Sequence, residues 1–177
     1  PSTFTVLNLA DGGEGSLRQA VLDANALPGA DEVRFADGLQ GTIALGGVPL
    51  SITDQLTVDG PGAERVAVSG TDASRVFEIS TGVTAVLDGL TITHGQAEDG
   101  GGIYNAGTLI VSHCTLSGNK ALGGEGGHTC DDDTILDVSD RIELWLSAQQ
   151  GTELAAALTE HGGAIAGEVL AVTIELG

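Results

Sequence analysis

A short apolar motif that returns at a fixed interval is the feature that most constrains how this chain can fold. The segments "VAVSG", "LTITHG" and "CTLSGN" begin at Val66, Leu90 and Cys114, so the interval is 24 residues twice in succession. An interval in the twenties is typical of solenoid proteins, in which each repeat forms one coil that stacks on the next. Because one coil cannot bury its own apolar side chains whereas a stack can, the sequence predicts a stacked architecture.

Alternation of apolar and polar residues within these motifs predicts short β-strands. Hydrogen-bonded strands lie about 4.8 Å apart, so equivalent residues of stacked coils contact one another. We expect two inward columns of side chains, the first formed by Val66, Leu90 and Cys114 and the second by Val68, Ile92 and Leu116. The same alternation predicts further inward positions at Val33, Phe35, Ile43, Leu45, Leu50, Ile52, Leu56, Val58, Phe77, Ile79, Val86, Leu109 and Val111.

Residues 3–29 follow a different pattern. A strand is predicted over "TFTVLNL", from Thr3 to Leu9, and a short helix over "SLRQAVLDANALPG". Ser16 and Gln19 match the capping-box pattern at the start of this helix, and the pair Pro28-Gly29 ends it. The apolar face of the helix is predicted to consist of Leu17, Ala20, Val21 and Ala24.

Composition restricts both the core and the function. Hydrophobic residues make up 41% of the chain and aromatic residues only 3%, so we expect an aliphatic core and no pocket rich in aromatic rings. The 28 glycines lie between apolar runs without a Gly-X-Y period, which excludes collagen and indicates many tight turns. A net charge of −19 repels phosphate backbones and anionic lipid surfaces, so no nucleic-acid partner is predicted.

Neither the cysteines nor the apolar runs indicate a further kind of partner. Cys114 and Cys130 are too few for a disulfide framework, and either a single bridge or two free thiols fits the sequence. No apolar run approaches the roughly 18 to 20 residues that a membrane span requires. We therefore predict no membrane span, and no cofactor.

Several motifs in order resemble one known family. The segments "GSLRQAVLDANALPGADEVRF", "LTVDGPGAERVAVSG", "RVFEIS", "GLTIT" and "GGGIYNAGTLIVSHCTLSGN" cover roughly residues 3–120. Together they resemble the start of bacterial secreted and cell-surface right-handed parallel β-helix proteins of the pectin lyase-like type. The resemblance implies a short helix that plugs the N-terminal end of a β-helix, and a location outside the cell or on its surface. It also implies a stalk or an adhesin-like surface more often than an enzyme.

The chain is predicted to contain three segments. A cap and a short β-helix occupy residues 1–122, an acidic glycine-rich linker residues 123–137 and a small β-α-β tail residues 138–177. In the tail, "DRIELWLS" predicts a strand, "TELAAALTEHGG" a short helix, and "AIAGEVLAVTIELG" a turn of helix that runs into a second strand.

The tail resembles a different family. The segments "VSDRIELWL" and "IAGEVLA" are similar to the C-terminal end of bacterial isoleucyl-tRNA synthetases. The HIGH-type and KMSKS-type signatures of those enzymes do not occur in this chain, so their catalysis is not implied. Three interpretations of the tail stay open: a cap over the exposed strands of the last coil, an unrelated segment joined to the solenoid, or an independent binding module.

Acidic residues are the first candidates for catalysis, because β-helix enzymes that cleave polysaccharides gather acidic and basic residues on one outward sheet. No acidic pair recurs here at the 24-residue interval. We interpret the acidic residues as solvated turn residues and predict no catalytic residue. The residues considered are Asp59, Asp88, Glu98 and Asp99, with Arg65 and Arg75 as the basic residues of the central coils.

Histidine and cysteine residues are interpreted structurally. His113 and Cys114 resemble a base beside a nucleophile, but neighbours on a strand point to opposite faces. Cys114 is therefore predicted to fill the core, and His94 to lie at a turn. Asn105 and Asn119 are expected to stack their amides at the corners of coils and so to stabilise the fold.

The segment "HTCDDD" contains possible metal ligands. His128, Cys130 and Asp131 to Asp133 do not match the spacing of a closed zinc site, and adjacent side chains rarely converge on one ion. We interpret the segment as a linker, with weak Ca²⁺ binding as the alternative. No metal site is predicted.

These features predict a mainly β protein, namely a right-handed parallel β-helix with an N-terminal capping helix, followed by a small α+β tail. The expected function is a non-catalytic, structural or adhesin-like one, in which strand faces are presented to a surface, a glycan or a protein. One alternative is a truncated carbohydrate-active enzyme of the polysaccharide lyase or hydrolase type. Another is a tRNA-synthetase-like fragment or a chimeric reading frame, identified by its tail.

Overall fold

The described part of this chain consists mainly of coils whose parallel strands stack on one another. The computed structural model describes residues 1–122 and, for two later strands, the backbone of Leu144–Ala148 and Val172–Leu176. The stacked coils make a β-solenoid, and one short helix lies near its N-terminal end. The predicted mainly β class and the predicted parallel stacking are confirmed.

The elements have the following bounds. In chain order they are β1 (Thr3–Val6), α1 (Leu17–Asn25), β2 (Asp31–Phe35), β3 (Gly41–Ala44), β4 (Leu50–Ile52), β5 (Leu56–Asp59), β6 (Val66–Ser69), β7 (Phe77–Ile79), β8 (Thr84–Asp88), β9 (Thr91–Thr93), β10 (Gln96–Ala97), β11 (Ile103–Asn105), β12 (Thr108–Ser112), β13 (Thr115–Ser117), β14 (Lys120–Ala121), β15 (Leu144–Ala148) and β16 (Val172–Leu176).

Three main sheets run along the solenoid, and every strand pair in them is parallel. Sheet A has the order β1-β2-β5-β8-β12, sheet B the order β3-β6-β9-β13, and sheet C the order β4-β7-β11. The short strands β10 and β14 form a further parallel pair. The chain therefore passes from sheet A to sheet B to sheet C in each coil before it returns to sheet A one level further along.

The two predicted inward columns are present. In sheet B, Val68 pairs with Ile92 and Ile92 with Leu116. Val66 and Leu90 are fully buried, and Cys114 packs against the same core. Cys114 and Leu116 are only partly buried, and within the described sheets β13 has a partner strand on one side only.

One predicted inward residue is wrong. Val86 lies on the outer side of β8, where the register pairs it with Thr57 and Ile110. Its neighbours Ala85 and Leu87 are fully buried instead. The period of a strand is two residues, so the inward side is fixed by the partner strand, and Leu87 pairs with the buried Val58.

The coil length is not constant along the stack. Asp88 pairs with Ser112 at the expected interval, whereas the previous coil pairs Asp59 with Asp88. This difference in coil length arises in the turns between sheets A and B. The turn between β5 and β6 comprises residues 60–65, whereas the turn between β8 and β9 comprises only Gly89 and Leu90. The extra residues of the earlier turn therefore leave the stacking of strands unchanged.

The helix α1 buries the four residues that were predicted to form its apolar face, Leu17, Ala20, Val21 and Ala24. The Ser16 hydroxyl accepts a hydrogen bond from the Gln19 N–H at 3.1 Å and donates one to the Gly13 carbonyl at 2.7 Å. The Gln19 side chain bonds to Asp23 rather than back to Ser16. Only half of the predicted capping box is therefore formed, and the helix ends at Asn25, before Pro28.

Polar side chains of the helix attach it to the first coil. Arg18 forms an ion pair with Asp11 and donates to the carbonyls of Val48 and Pro49, just before β4. Asn25 donates to the Ser51 carbonyl and accepts from the Thr53 N–H, at 2.8 and 2.9 Å. The first strand is shorter than predicted and ends at Val6, because the next two N–H groups bond to the Gly15 carbonyl in the turn before the helix.

The glycines of "GGGIYN" have two different roles. Gly100 has a φ of 58°, a left-handed conformation that favours glycine. Gly101 and Gly102 do not have a positive φ. A Cβ atom on Gly101 would collide with the Lys120 carbonyl of the next coil, and one on Gly102 with the Asn119 side chain. Close approach between coils, and not only turn geometry, explains this run of glycines.

Only part of the predicted tail can be compared. The strands β15 and β16 agree with the two strands predicted there, and they pair in parallel. The predicted linker over 123–137, with His128, Cys130 and Asp131 to Asp133, lies outside the described residues, as does the predicted tail helix. In the described part of the chain, no helix is long and apolar enough to cross a lipid bilayer.

We predict that packing in the second column, formed by Val68, Ile92 and Leu116, makes a large contribution to the stability of sheet B. Replacing the fully buried Ile92 with alanine should lower the free energy of unfolding by about 2 to 5 kcal/mol, because it removes packed methyl groups in the middle of the stack. Leu116→Ala, in the same column but at its partly buried end, should cost less. Urea denaturation measures both, with the exposed Val48→Ala as the control. A loss for Ile92→Ala no larger than that for Val48→Ala would contradict the stacked column.

The helix cap gives a second prediction. Ser16→Ala should lower the free energy of unfolding by about 1 kcal/mol, since the Gln19 N–H and the Gly13 carbonyl lose a partner. Gln19→Ala should change it by less than about 0.5 kcal/mol, because the Gln19 side chain does not bond to the cap. The same denaturation measurement distinguishes this half cap from a full capping box, for which both variants would be destabilised.

Candidate functional site

The outer surface of sheet A carries one row of charged and hydroxyl side chains. The register places Thr5, Arg34, Asp59, Asp88 and Ser112 beside one another, one residue from each strand. Neighbouring parallel strands lie about 4.8 Å apart, so the row is a regular array of polar groups. We call these five residues the sheet A row.

Two carboxylates stack within the sheet A row. Asp59 and Asp88 end β5 and β8 and are direct partners in the parallel ladder. The sequence pattern did not reveal this pair, because the longer turn over residues 60–65 gives their coil a different length from the later ones. A search at one fixed interval misses acidic residues that the register nevertheless brings together.

Asp88 is the centre of a small hydrogen-bonded group. One of its carboxylate oxygens, Oδ1, accepts a hydrogen bond from the Ser112 hydroxyl at 2.9 Å and lies 2.8 Å from His113 Nδ1. The His113 side chain is 84% exposed and that of Asp88 35% exposed. The group therefore lies at the solvent-facing edge of the sheet, where β12 turns towards β13.

The environment of Asp88 affects its pKa in two directions. Partial burial raises the pKa of this carboxyl, while the hydrogen bonds from His113 and Ser112 lower it. The hydrogen bonds together outweigh burial, so the pKa of Asp88 lies below its ordinary value of 3.8. Asp88 is consequently an ionised carboxylate near neutral pH and accepts hydrogen bonds there.

The group has part of the geometry of a catalytic triad. An aspartate that holds one imidazole nitrogen orients the ring and leaves the second nitrogen available for proton transfer. In a triad the serine hydroxyl bonds to the histidine, but here the Ser112 hydroxyl donates to Asp88. The arrangement is thus an oriented Asp–His pair with an adjacent hydroxyl, without the nucleophile–base hydrogen bond of a triad.

A basic residue occupies the neighbouring part of the sheet A row. The Arg34 guanidinium forms an ion pair with Glu32 at 2.9 Å, and its Nε lies 3.8 Å from a carboxylate oxygen of Asp59. The hydrogen bond from Arg34 to Glu32 raises the pKa of the guanidinium. The row therefore presents one cation and two carboxylates in sequence along the axis of the solenoid.

The other charged candidates are dispersed. Glu98 and Asp99 are exposed in the turn after β10, as predicted. Arg75 stacks over the Tyr104 ring of sheet C, with 4.7 Å from its guanidinium carbon to the ring centroid. Arg65 is exposed before β6. Among the residues that the structure describes, no three His, Cys, Asp or Glu side chains are grouped so that they could hold a metal ion.

The predicted positions of the histidines and of Cys114 are largely right. His94 lies at a turn, with a φ of 48°, and its Nδ1 is 2.8 Å from the Thr93 hydroxyl. His113 is exposed and Cys114 faces the core, as expected, but both lie in a turn rather than on a strand. Cys114 is a free thiol, and burial raises its pKa, so it is a poor nucleophile. The contact between His113 and Asp88 was not predicted, because Asp88 belongs to the preceding coil.

Both asparagine side chains form hydrogen bonds with backbone groups at turns, in two different ways. The Asn119 side chain reaches the previous coil, where it donates to the Ile92 carbonyl and accepts from the Gly95 N–H, at 2.9 and 2.8 Å. The buried Asn105 accepts a hydrogen bond from the Gly107 N–H two residues ahead. Asn119 therefore connects coils, whereas the Gly107 bond of Asn105 fixes a turn within its own coil.

We predict that His113→Ala raises the pKa of Asp88, because the carboxylate loses a hydrogen bond and a nearby positive charge. Asp88 stabilises the fold above its unfolded pKa, and that contribution is lost as the pH falls through its lowered folded pKa. In His113→Ala this contribution should therefore be smaller, and its loss should be complete at a higher pH. An NMR titration of the Asp88 carboxyl measures the shift. His94→Ala removes a turn histidine that bonds to Thr93 and not to Asp88, so it should leave the Asp88 pKa unchanged. An unaltered Asp88 titration in His113→Ala would contradict the assigned pair.

Comparisons with known proteins found no match for this chain among family models, curated proteins or solved structures. The assignment of a parallel solenoid therefore rests on the strand pairing in the structure alone. The relationship to secreted β-helix proteins and the one to isoleucyl-tRNA synthetases stay predictions from the motifs.

Proposed function

We propose that this protein is a non-catalytic, structural or adhesin-like solenoid that works outside the cell or on its surface. In this function the outer face of sheet A is presented to a glycan. The observation that carries the proposal is the sheet A row, a linear array of polar groups on strands whose inner side is packed in the core. A linear array of this kind on an outer sheet surface suits an extended polymer better than a small molecule, which requires a concave site.

Rigidity of the strands supports the proposal. The strand β5 buries Leu56 and Val58 on its inner side, and β8 buries Ala85 and Leu87. The outward residues Thr57, Asp59 and Asp88 therefore stand on a backbone that is fixed from below. Groups held in place before binding lose little conformational entropy when a partner binds, and this favours affinity.

Charge indicates the class of glycan. Beside the carboxylates of Asp59 and Asp88, the only basic residue of the sheet A row is Arg34, which is already paired with Glu32. Hydroxyl groups of a sugar donate well to carboxylates, and an amino sugar would add an ion pair. A polyanionic glycan would be repelled by the net charge of −19. A neutral or amine-bearing glycan is therefore the proposed partner.

A second candidate function follows from the same residues. The stacked pair of Asp59 and Asp88, with His113 oriented by Asp88, supplies an acid and a base of the kind that glycosidic cleavage uses. These residues are what favours the alternative, a truncated carbohydrate-active enzyme. In that case the row would cleave the polymer that it binds.

Glycan-array binding of the full chain tests both functions. We predict that neutral or amine-bearing glycans bind, and that the double variant Asp59→Asn and Asp88→Asn weakens binding about tenfold, since carboxylate hydrogen bonds are lost. Glu78→Gln removes one charge from the outer side of sheet C and serves as a control that leaves binding unchanged. Binding limited to polyuronates would contradict the proposal. Release of shortened sugars, abolished by Asp88→Asn, would favour the enzyme.

A further inference from the structure

The last described coil ends in an apolar edge. Strands β12 and β13 pair on one side with β8 and β9, and within the described sheets no strand pairs on the other side. Val111, Cys114 and Leu116 are inward residues that remain only partly buried, and Leu122, after β14, is 60% exposed. We call this surface the open end.

The open end lacks the protection that exposed strand edges usually have. Natural proteins commonly place charged residues on such edges to prevent association. Residues 100–122 contain no Asp or Glu, and Lys120 is their one charged residue, in a chain with 25 acidic residues. An edge that is apolar and free of acidic residues needs a covering element.

The strands β15 and β16 provide a matching surface. Their parallel register pairs Leu144 with Val172, Leu146 with Ile174, and Ala148 with Leu176. These aliphatic positions alternate with Trp145, Ser147, Thr173 and Glu175. Residues two apart on a strand lie on one side of a sheet, so the pair has one wholly aliphatic side. A two-stranded sheet with such a side is not stable alone and needs a packing partner.

Position and charge connect the two surfaces. The backbone of β15 lies in contact with β12, the strand of sheet A at the open end. Residues 123–177 contain eleven acidic residues and one arginine, Arg141, so most of the acidic solenoid would repel them. The open end, with Lys120 and no acidic residue, is the part of the solenoid that repels them least.

We infer that the aliphatic side of the β15–β16 sheet packs over the open end and serves as the C-terminal cap of the solenoid. The helix α1 covers the first coils at the other end, so both ends of the stack would be closed by segments of the same chain. This role does not depend on whether sheet A binds a glycan.

Cys114 is a built-in reporter for this packing. It is a free, partly buried thiol of the open end, so its reaction rate with a thiol reagent depends on whether that end is covered. The full chain carrying Cys130→Ser gives a single reactive thiol. We expect Leu146→Lys and Ile174→Lys each to accelerate the reaction of Cys114 about tenfold, because a charge on the aliphatic side opens the cap. Ser147→Lys lies on the other side of the same sheet and should leave the rate unchanged.

Two further measurements keep the test decisive. Circular dichroism shows whether the solenoid remains folded in each variant, and amide hydrogen exchange of β12 should accelerate in Leu146→Lys but not in Ser147→Lys. Equal Cys114 rates in all three lysine variants and in their parent would overturn the cap. Protection of Cys114 that increases with protein concentration would overturn it too, since a second copy of the chain would then be the covering partner.

Discussion

Contact between aliphatic side chains of successive coils is the interaction on which the rest of this structure depends. Val68, Ile92 and Leu116 illustrate it, because each packs against the residue one coil above or below it in sheet B. Strands of three residues, such as β4 and β7, make too few hydrogen bonds to persist alone. They persist because the next coil supplies both the backbone partners and the apolar contacts, so stability belongs to the stack and not to a single coil.

Because stability comes from the inner side of the strands, the outer surface is available for function. The inner side of each strand is fixed by packing, whereas an outward residue can change without disturbing the core. Arg34, Asp59 and Asp88 are ordered along sheet A for this reason, and the scaffold brings polar groups from three coils into one row. The proposed binding of a glycan and the alternative of cleavage both rely on that row, and they differ in what the oriented His113 does.

Packing between coils is least complete at the ends of the stack, because a terminal coil has a neighbour on one side only. At the N-terminal end the apolar face of α1 covers the core. Arg18 and Asn25 hold the helix in place through hydrogen bonds to the backbone around β4. At the other end Cys114 and Leu116 remain partly buried within the described coils. The inferred packing of β15 and β16 over that end would complete the core by the same principle.

The solenoid, the inward columns and the apolar face of α1 could all be predicted from the sequence, because each follows from a period that the sequence displays. The motifs recur every 24 residues, apolar residues alternate within the strands, and the apolar residues of α1 have helical spacing. Tertiary structure alone decided which residues of different coils meet. The outward position of Val86 and the stacking of Asp59 on Asp88 depend on register, and register depends on the length of the turns between strands. Turn length leaves the alternation within a strand unaltered, so no periodic pattern in the sequence could reveal these two features. The Asp88–His113 pair does follow the 24-residue interval, but only the structure shows that the His113 ring reaches the Asp88 carboxylate.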